Sequence, residues 1–140
     1  MITAKFYKKI PKRIINQCPD VMVEHTNDIS RESGEDVNWF SFVNEAGEDV
    51  GCIQMSWDRF DYVNGMPAWT VFIYLFEVCK NFRGQGYAKE MVKWVESLPN
   101  VIAIELSHCT NDYGNSRRWW THMGWKHKDK SSNMMSKKIR

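Results

Sequence analysis

The sequence predicts a mixed α/β fold, and three observations support this prediction. The apolar run Val71–Phe76 ends a short distance before a loop that contains two glycines, Arg83–Ala88, and a stretch with helical periodicity follows the loop. Strand-like segments separated by turns precede this unit, and another apolar segment follows it. The chain has 140 residues, 43% of them hydrophobic, which is enough for one core and too few for two ordinary domains. We therefore expect residues 1–140 to form a single domain, with helices flanking a central mixed, mostly antiparallel sheet.

Alternating or continuous apolar residues bounded by turn residues predict six strands. In chain order they are Thr3–Tyr7, Trp39–Val43, Val50–Trp57, Trp69–Val78, Val101–Leu106 and Asn133–Ile139. The second and third flank a turn at Glu45–Glu48 and should form a hairpin, and Asn64-Gly65 marks a turn before the fourth. The fifth is apolar enough to be covered on both faces. The sixth is expected to lie at an edge of the sheet.

Two helices are predicted from residue patterns alone. Ile10–Cys18 is a short helix with Pro11 near its first turn. After the loop, apolar residues from Ala88 to Leu98 recur at helical spacing and charged residues lie between them, so this helix should pack one face on the sheet. Residues 27–36 are polar and predict a loop.

The loop Arg83–Ala88 has the features of a phosphate-binding site. Glycine lets the backbone approach an anion closely, and the first N–H groups of the following helix have no carbonyl partner within the helix. No Lys-Ser or Lys-Thr follows Gly86, as a P-loop requires, and the third glycine of a dinucleotide-binding fingerprint is missing. An ordinary glycine turn between a strand and a helix is the alternative interpretation.

The loop resembles the acetyl-CoA-binding motif of the GNAT superfamily of acyl-CoA-dependent N-acyltransferases. That motif is Arg/Gln-x-x-Gly-x-Gly/Ala followed by two aliphatic residues, and here Met91 and Val92 take the aliphatic positions. The second motif of the family is a short helix. It begins with a small residue, has a Tyr four residues later, and ends in the dipeptide Gly-Phe. Ser116, Trp120 and Gly124-Trp125 take these positions.

The resemblance, which covers roughly Trp69–Trp125, implies transfer of an acetyl group from acetyl-CoA, or of another acyl group from its CoA ester, directly to a primary amine. The amine would belong to a protein or to a small molecule. It also implies that Val101–Leu106 runs parallel to the long fourth strand and splays from it to admit the cofactor. The implied cofactor-binding residues are Val78, Arg83, Gly84, Gln85, Gly86, Tyr87, Ala88, Asn111 and Ser116.

Direct acyl transfer to an amine needs a deprotonated amine, stabilisation of an oxyanion and a proton for the departing thiolate. The resemblance implies that a backbone N–H near Val78 stabilises the oxyanion. Glu77 is the candidate base, since a carboxylate among apolar neighbours such as Phe76 can be tuned toward that role. A solvent-facing strand residue is the alternative interpretation of Glu77. Weaker candidates for the base are Asp58, Asp61 and Glu105.

Trp120 departs from the family pattern, because an indole N–H has no useful acidity and cannot replace a Tyr as proton donor. Trp119 and Trp120 are equally well interpreted as core aromatics. A water molecule could supply the proton, or the thiol could leave without one. The side chains that could supply it are Tyr87, His108, Tyr113 and Ser116.

Composition constrains the partners. The net charge of +2 is too small to indicate a nucleic-acid partner, although lysines gather near both ends of the chain. No apolar run reaches the length of a membrane span and the first residues lack the apolar core of a signal peptide, so we expect a cytoplasmic protein with no membrane partner. We expect the protein to be a monomer or a homodimer. The alternative functions are a non-catalytic CoA-binding protein and a nucleic-acid base-modifying enzyme on the same scaffold.

The cysteines and histidines do not indicate a metal site. The four cysteines have no Cys-x-x-Cys spacing and are predicted to be small buried hydrophobic residues. His108, Cys109, His122 and His127 match no common zinc-binding spacing, so we expect no metal.

Overall fold

The computed structural model describes residues 1–9, 11–17, 38–107, 110–111, 114–115, 117–127 and 134–139. The strands β1 to β9 of these residues are Thr3–Tyr7, Asn38–Val43, Asp49–Val63, Met66–Val78, Val101–Ser107, Thr110–Asn111, Gly114–Asn115, Lys126–His127 and Met134–Lys138. The helices α1 to α3 are Lys12–Gln17, Tyr87–Glu96 and Arg117–His122, and a 3-10 helix spans Lys80–Phe82. The predicted loop at residues 27–36 lies outside the described residues.

The first of two compact units combines Met1–Ser56 with Tyr74–Leu98. Its strands follow the order β1-β2-β3-β4, and β2 pairs antiparallel with both β1 and β3. The predicted hairpin is confirmed, and Asn44 organises its turn. The Asn44 Oδ1 atom accepts the backbone N–H groups of Ala46 and Glu48, each at 3.0 Å.

Successive side chains of β2 point to opposite faces of the sheet, so a different set of apolar residues packs on each face in this unit. On one face, Trp94 of α2 packs its ring against Phe40 and Phe42 at centroid distances of 5.0 and 5.1 Å. On the other, Ile14 of α1 lies in a buried cluster with Trp39. The remaining members of this cluster are Cys52, Leu75 and Cys79, with Tyr7 and Phe82 packed against it.

The second compact unit combines Trp57–Ile73 with Pro99–Arg140. Here β3 and β4 continue as a hairpin around Asn64-Gly65, whose φ angles of 53° and 77° suit a two-residue turn. We predicted that the third strand ends at Trp57 and the fourth begins at Trp69. The structure extends them to Val63 and back to Met66, so only the turn Asn64-Gly65 separates the two strands. This hairpin, from Trp57 to Ile73, is called the β3–β4 arm.

The remaining strands of the second unit follow the order β4-β5-β9-β8. β5 runs parallel to β4, with Trp69 opposite Val101 and Ile73 opposite Leu106, and β9 pairs antiparallel with β5. The mixed, mostly antiparallel sheet and the parallel strand pair are therefore confirmed. The prediction that the last strand lies at an edge was wrong, because the two-residue β8 pairs with the other side of β9.

In the part of the chain that the structure describes, no helix is long and apolar enough to cross a membrane. Nor do three or more His, Cys, Asp or Glu side chains of these residues gather as metal ligands would. Cys52 and Cys79 are buried and not joined in a disulfide, as predicted, whereas Cys18 and Cys109 lie outside the described residues.

Candidate functional site

The loop after β4 is shaped by one short helical turn and two glycines. The 3-10 helix Lys80–Phe82 is closed by the N–H of Phe82, which donates to the carbonyl of Cys79 at 2.9 Å. Gly84 and Gly86 then have φ angles of 78° and 86°, in the left-handed region that glycine adopts without strain. These two residues turn the chain from the sheet into α2.

The start of α2 offers backbone N–H groups to an open space. The N–H of Glu90 donates to the carbonyl of Gly86 at 3.3 Å, so the N–H groups of residues 87–89 precede the first bond of the helix. A Cβ placed on Gly84 or Gly86 would meet no atom within 4 Å. A helix N-terminus that follows two such glycines, with the positive end of the helix dipole behind it, suits a phosphate group.

Tyr87 anchors the first turn of α2. Its ring lies edge-on to Phe82 with a centroid distance of 5.9 Å, and its hydroxyl is 3.5 Å from the Asn44 side-chain amide. Glu90, the acidic residue of this turn, is paired with the amino group of Met1 at 3.5 Å, which offsets its negative charge.

Gly51 is a residue of this site that the sequence analysis missed. A Cβ on Gly51 would lie 2.8 Å from the carbonyl oxygen of Glu77 and 2.6 Å from the sulfur of Met91. The absence of a side chain therefore lets β3, β4 and α2 approach closely where β4 leads into the loop. The only signal in the sequence was a glycine inside a predicted strand, which often marks a close backbone approach.

Glu77 and Arg83 meet at the end of β4. The Glu77 carboxylate is 7% exposed, and its Oε2 lies 3.7 Å from an Nη2 of Arg83. The Arg83 Nε also donates to the carbonyl of Val78 at 3.2 Å. The expectation that Glu77 faces solvent, which was the alternative interpretation, does not fit this burial.

The structure also constrains the expected oxyanion donor. The N–H of Cys79 donates to the carbonyl of Val50 at 2.8 Å. This N–H is therefore committed to β3, and Cys79 is not the donor predicted near Val78.

The second motif forms α3 and its C-terminal cap in the second unit. The N–H of Gly124 donates to the carbonyl of Thr121 and the N–H of Trp125 to that of Trp120, both at 3.0 Å. With Gly124 at φ 93°, these bonds form a Schellman motif. Trp120 is 5% exposed and packs edge-on against Trp125 at 4.9 Å, so the indole occupies a core position.

The predicted site residues thus fall into three groups. The first unit brings together Glu77, Val78 and the loop Arg83–Ala88, whereas Trp120 and the backbone of Asn111 belong to the second unit. Tyr113, Ser116 and His108 lie outside the described residues.

The weaker base candidates belong to the second unit. Asp58 and Asp61 are exposed on the β3–β4 arm. Glu105 is 4% exposed and is bound by Arg59 at 2.7 Å. The ion pair with Arg59 accounts for the burial of the Glu105 carboxylate, so a structural role explains this residue.

A polar group that the sequence analysis did not identify ties α1 to the sheet of the first unit. Arg13 donates from Nη2 to the hydroxyl of Tyr7 at 3.0 Å and from Nε to Asp49 at 3.1 Å. The hydrogen bond from Arg13 lowers the pKa of Tyr7, and the same contacts with Tyr7 and Asp49 raise the pKa of Arg13.

Comparison with known proteins agrees with the fold and the loop. The model of the acetyltransferase (GNAT) family matches residues 6–125. The chain therefore belongs to the GNAT acetyltransferase family. No curated protein sequence matches the chain.

Solved structures match over almost the whole chain. One is a mutant of the toxin AtaT bound to the C-terminus of the antitoxin AtaR and acetyl-CoA, with TM-score 0.65, 9% identity, and coverage of 99% of this chain and 94% of that chain. A putative GNAT acetyltransferase from Desulfovibrio desulfuricans has TM-score 0.64, 11% identity and full coverage of both chains. A KacTA–DNA complex has TM-score 0.61, 13% identity, and coverage of 99% and 94%. At these identities the matches establish the fold alone.

Proposed function

We propose that this protein is an N-acetyltransferase that uses acetyl-CoA and transfers the acetyl group directly to a primary amine. The observation that supports this most strongly is the loop Arg83–Ala88, where two glycines with open Cβ positions lead into the N-terminus of α2. Family membership and the acetyl-CoA in the AtaT structure support the choice of cofactor.

The loop residues fit the charged part of this cofactor. The backbone of residues 84–88 would hold the pyrophosphate, because Gly84 and Gly86 leave room for it and the helix dipole favours its charge. When bound, acetyl-CoA supplies a thioester as the acetyl donor. The contributions of Asn111 and Ser116 stay predictions.

Glu77 is the proposed base. It lies directly before Val78 at the end of β4, and its carboxylate is withdrawn from bulk water. In this role it accepts a proton from the acceptor amine, directly or through one water. The backbone N–H near Val78 stabilises the developing oxyanion.

No acid is assigned to Trp120, since its buried indole packs against Trp125 and cannot donate a useful proton. Tyr87, at the start of α2, and Tyr113 are the proposed alternatives, with water as a third. Protonation of the thiolate contributes little if the thiol is already a fair leaving group near its pKa of about 8.5.

The function is tested by separating binding from turnover. Calorimetry should detect CoA binding, and a thiol-release assay with a panel of diamines, amino sugars and peptides should detect transfer to one of these classes. CoA binding without turnover on any acceptor would favour a non-catalytic CoA-binding protein. If calorimetry detects no CoA binding and the assay detects no turnover, the proposed function is contradicted.

A further inference from the structure

The cationic side chain of the loop points back to the strand. Arg83 lies at the start of the loop, yet its guanidinium contacts the carboxylate of Glu77 and the carbonyl of Val78. The Arg83 side chain is 50% exposed and that of Glu77 is 7% exposed. An exposed cation therefore covers a buried anion at the end of β4.

This contact affects both predicted catalytic features. A buried carboxylate loses hydration, and a cation about 4 Å away favours its ionised form. Only the ionised form can accept a proton from an amine. The hydrogen bond from Arg83 to the Val78 carbonyl also fixes the residue whose own N–H is the predicted oxyanion donor.

The proposed phosphate site can be built without this guanidinium. The N–H groups at the start of α2 and the two glycines would supply it from backbone atoms alone. We propose that Arg83 is a positioning residue for Glu77, which holds the base ionised and in place, rather than a principal ligand of the CoA phosphates. This assignment rests on the proposed function, because it takes Glu77 as the base.

Other charged or titratable groups of the first unit differ from Arg83 in their contacts or their exposure. Arg13 on α1 is engaged by Tyr7 and Asp49, and Lys80 is exposed on the 3-10 helix. Cys52 and Cys79 are buried, and a thiol cannot carry the positive charge that Arg83 brings to Glu77. Among the residues that the structure describes, Arg83 is thus the cation whose removal should change the titration of Glu77 most.

The test follows the Glu77 carboxyl carbon by NMR in cofactor-free protein with labelled glutamate, and Glu77→Gln identifies the resonance. In Arg83→Gln we expect the titration midpoint to rise by about one pH unit. Arg83→Lys, which keeps the charge, should show a smaller rise. Lys80→Gln, which removes an equal charge from the 3-10 helix, should leave the midpoint unchanged.

Two further readouts use the same variants. Calorimetry should show that Arg83→Gln changes CoA affinity by less than about threefold, and the acidic limb of the pH–rate profile should move with the NMR midpoint. An unchanged midpoint in Arg83→Gln would overturn the assignment. A loss of CoA affinity of about tenfold or more would also overturn it, because Arg83 would then be a phosphate ligand.

Failure of the proposed function gives a different result. Wild-type protein would then lack CoA binding or turnover, while the NMR titration would still report whether Arg83 acts on Glu77. Melting temperatures confirm that each variant is folded.

Discussion

Glu77 and Trp120 are both nearly buried, and their surroundings assign them different roles. Glu77 meets the guanidinium of Arg83 at a strand end that leads into an exposed loop. Trp120 meets Trp119 and Trp125 at edge-on ring distances of 4.7 and 4.9 Å. A carboxylate that faces a charge can take part in proton transfer, whereas an indole among indoles stabilises a core.

Replacing Glu77 by Gln keeps the shape of the side chain and removes its basicity. We expect turnover at neutral pH to fall about a hundredfold, the usual scale for loss of a general base, while CoA affinity is retained. Raising the pH should recover part of the rate, because the acceptor amine then loses its proton unaided. Glu96→Gln, at the far end of α2, is the matched control and should keep the wild-type rate. A Glu77→Gln variant with an unaltered rate and pH profile would make Glu77 a structural residue.

Replacing Trp120 by Phe should reduce stability more than activity. The smaller ring loses contact with Trp125, at a cost of roughly 1–3 kcal/mol in the free energy of unfolding. Turnover at a temperature where the variant is folded should fall by well under a hundredfold. Denaturant unfolding and thiol release measure the two effects. A hundredfold loss of rate with unchanged stability would instead give Trp120 a direct role in the reaction.

At the scale of elements, the close approach of β3, β4 and α2 at Gly51 supports the strand end on which the loop is mounted. Overpacking by one methyl group usually costs roughly 1–3 kcal/mol, so Gly51→Ala should be destabilised by that amount and should bind CoA less tightly. Met91→Ala in the same chain should relieve only part of the effect, because the Glu77 carbonyl also blocks the new Cβ. Equal stability of Gly51→Ala and wild type in denaturant unfolding would show that the strands separate without cost.

The Schellman motif after α3 gives a second prediction at this scale. Gly124 has φ 93°, so Gly124→Ala should lower the free energy of unfolding by about 1–2 kcal/mol. Gly124→Asn should cost less, since Asn tolerates left-handed backbone better. The proposed cap would be wrong if both variants unfolded at the wild-type denaturant concentration.

Strands and helices were predictable where the pattern is local. The loop motif, α2 and the hairpin at Asn44–Glu48 follow from short-range spacing and turn residues. The length of the β3–β4 arm was missed, because Phe60, Tyr62 and Met66 are apolar yet exposed and give no pattern of burial. The position of β9 between β5 and β8 depends on pairing with a two-residue strand, which no periodicity can indicate.

At the scale of the whole molecule, the sequence identified the family, whereas the roles of the candidate site residues stay predictions. The two motifs lie in the predicted elements, and the family assignment covers residues 6–125. The contacts of Gly51 and the direction of the Arg83 side chain could not be predicted, because both depend on how distant segments pack.

CoA binding by the Gly86→Asp variant, measured by calorimetry, tests the central claim that the loop Arg83–Ala88 holds the pyrophosphate. The new carboxylate would stand where the phosphates bind, so CoA affinity should fall about a hundredfold or more. Gly65→Asp is the matched control, because Gly65 has a similar φ of 77° and equally open space, and it should bind CoA like wild type. Wild-type affinity in a folded Gly86→Asp variant would contradict the account.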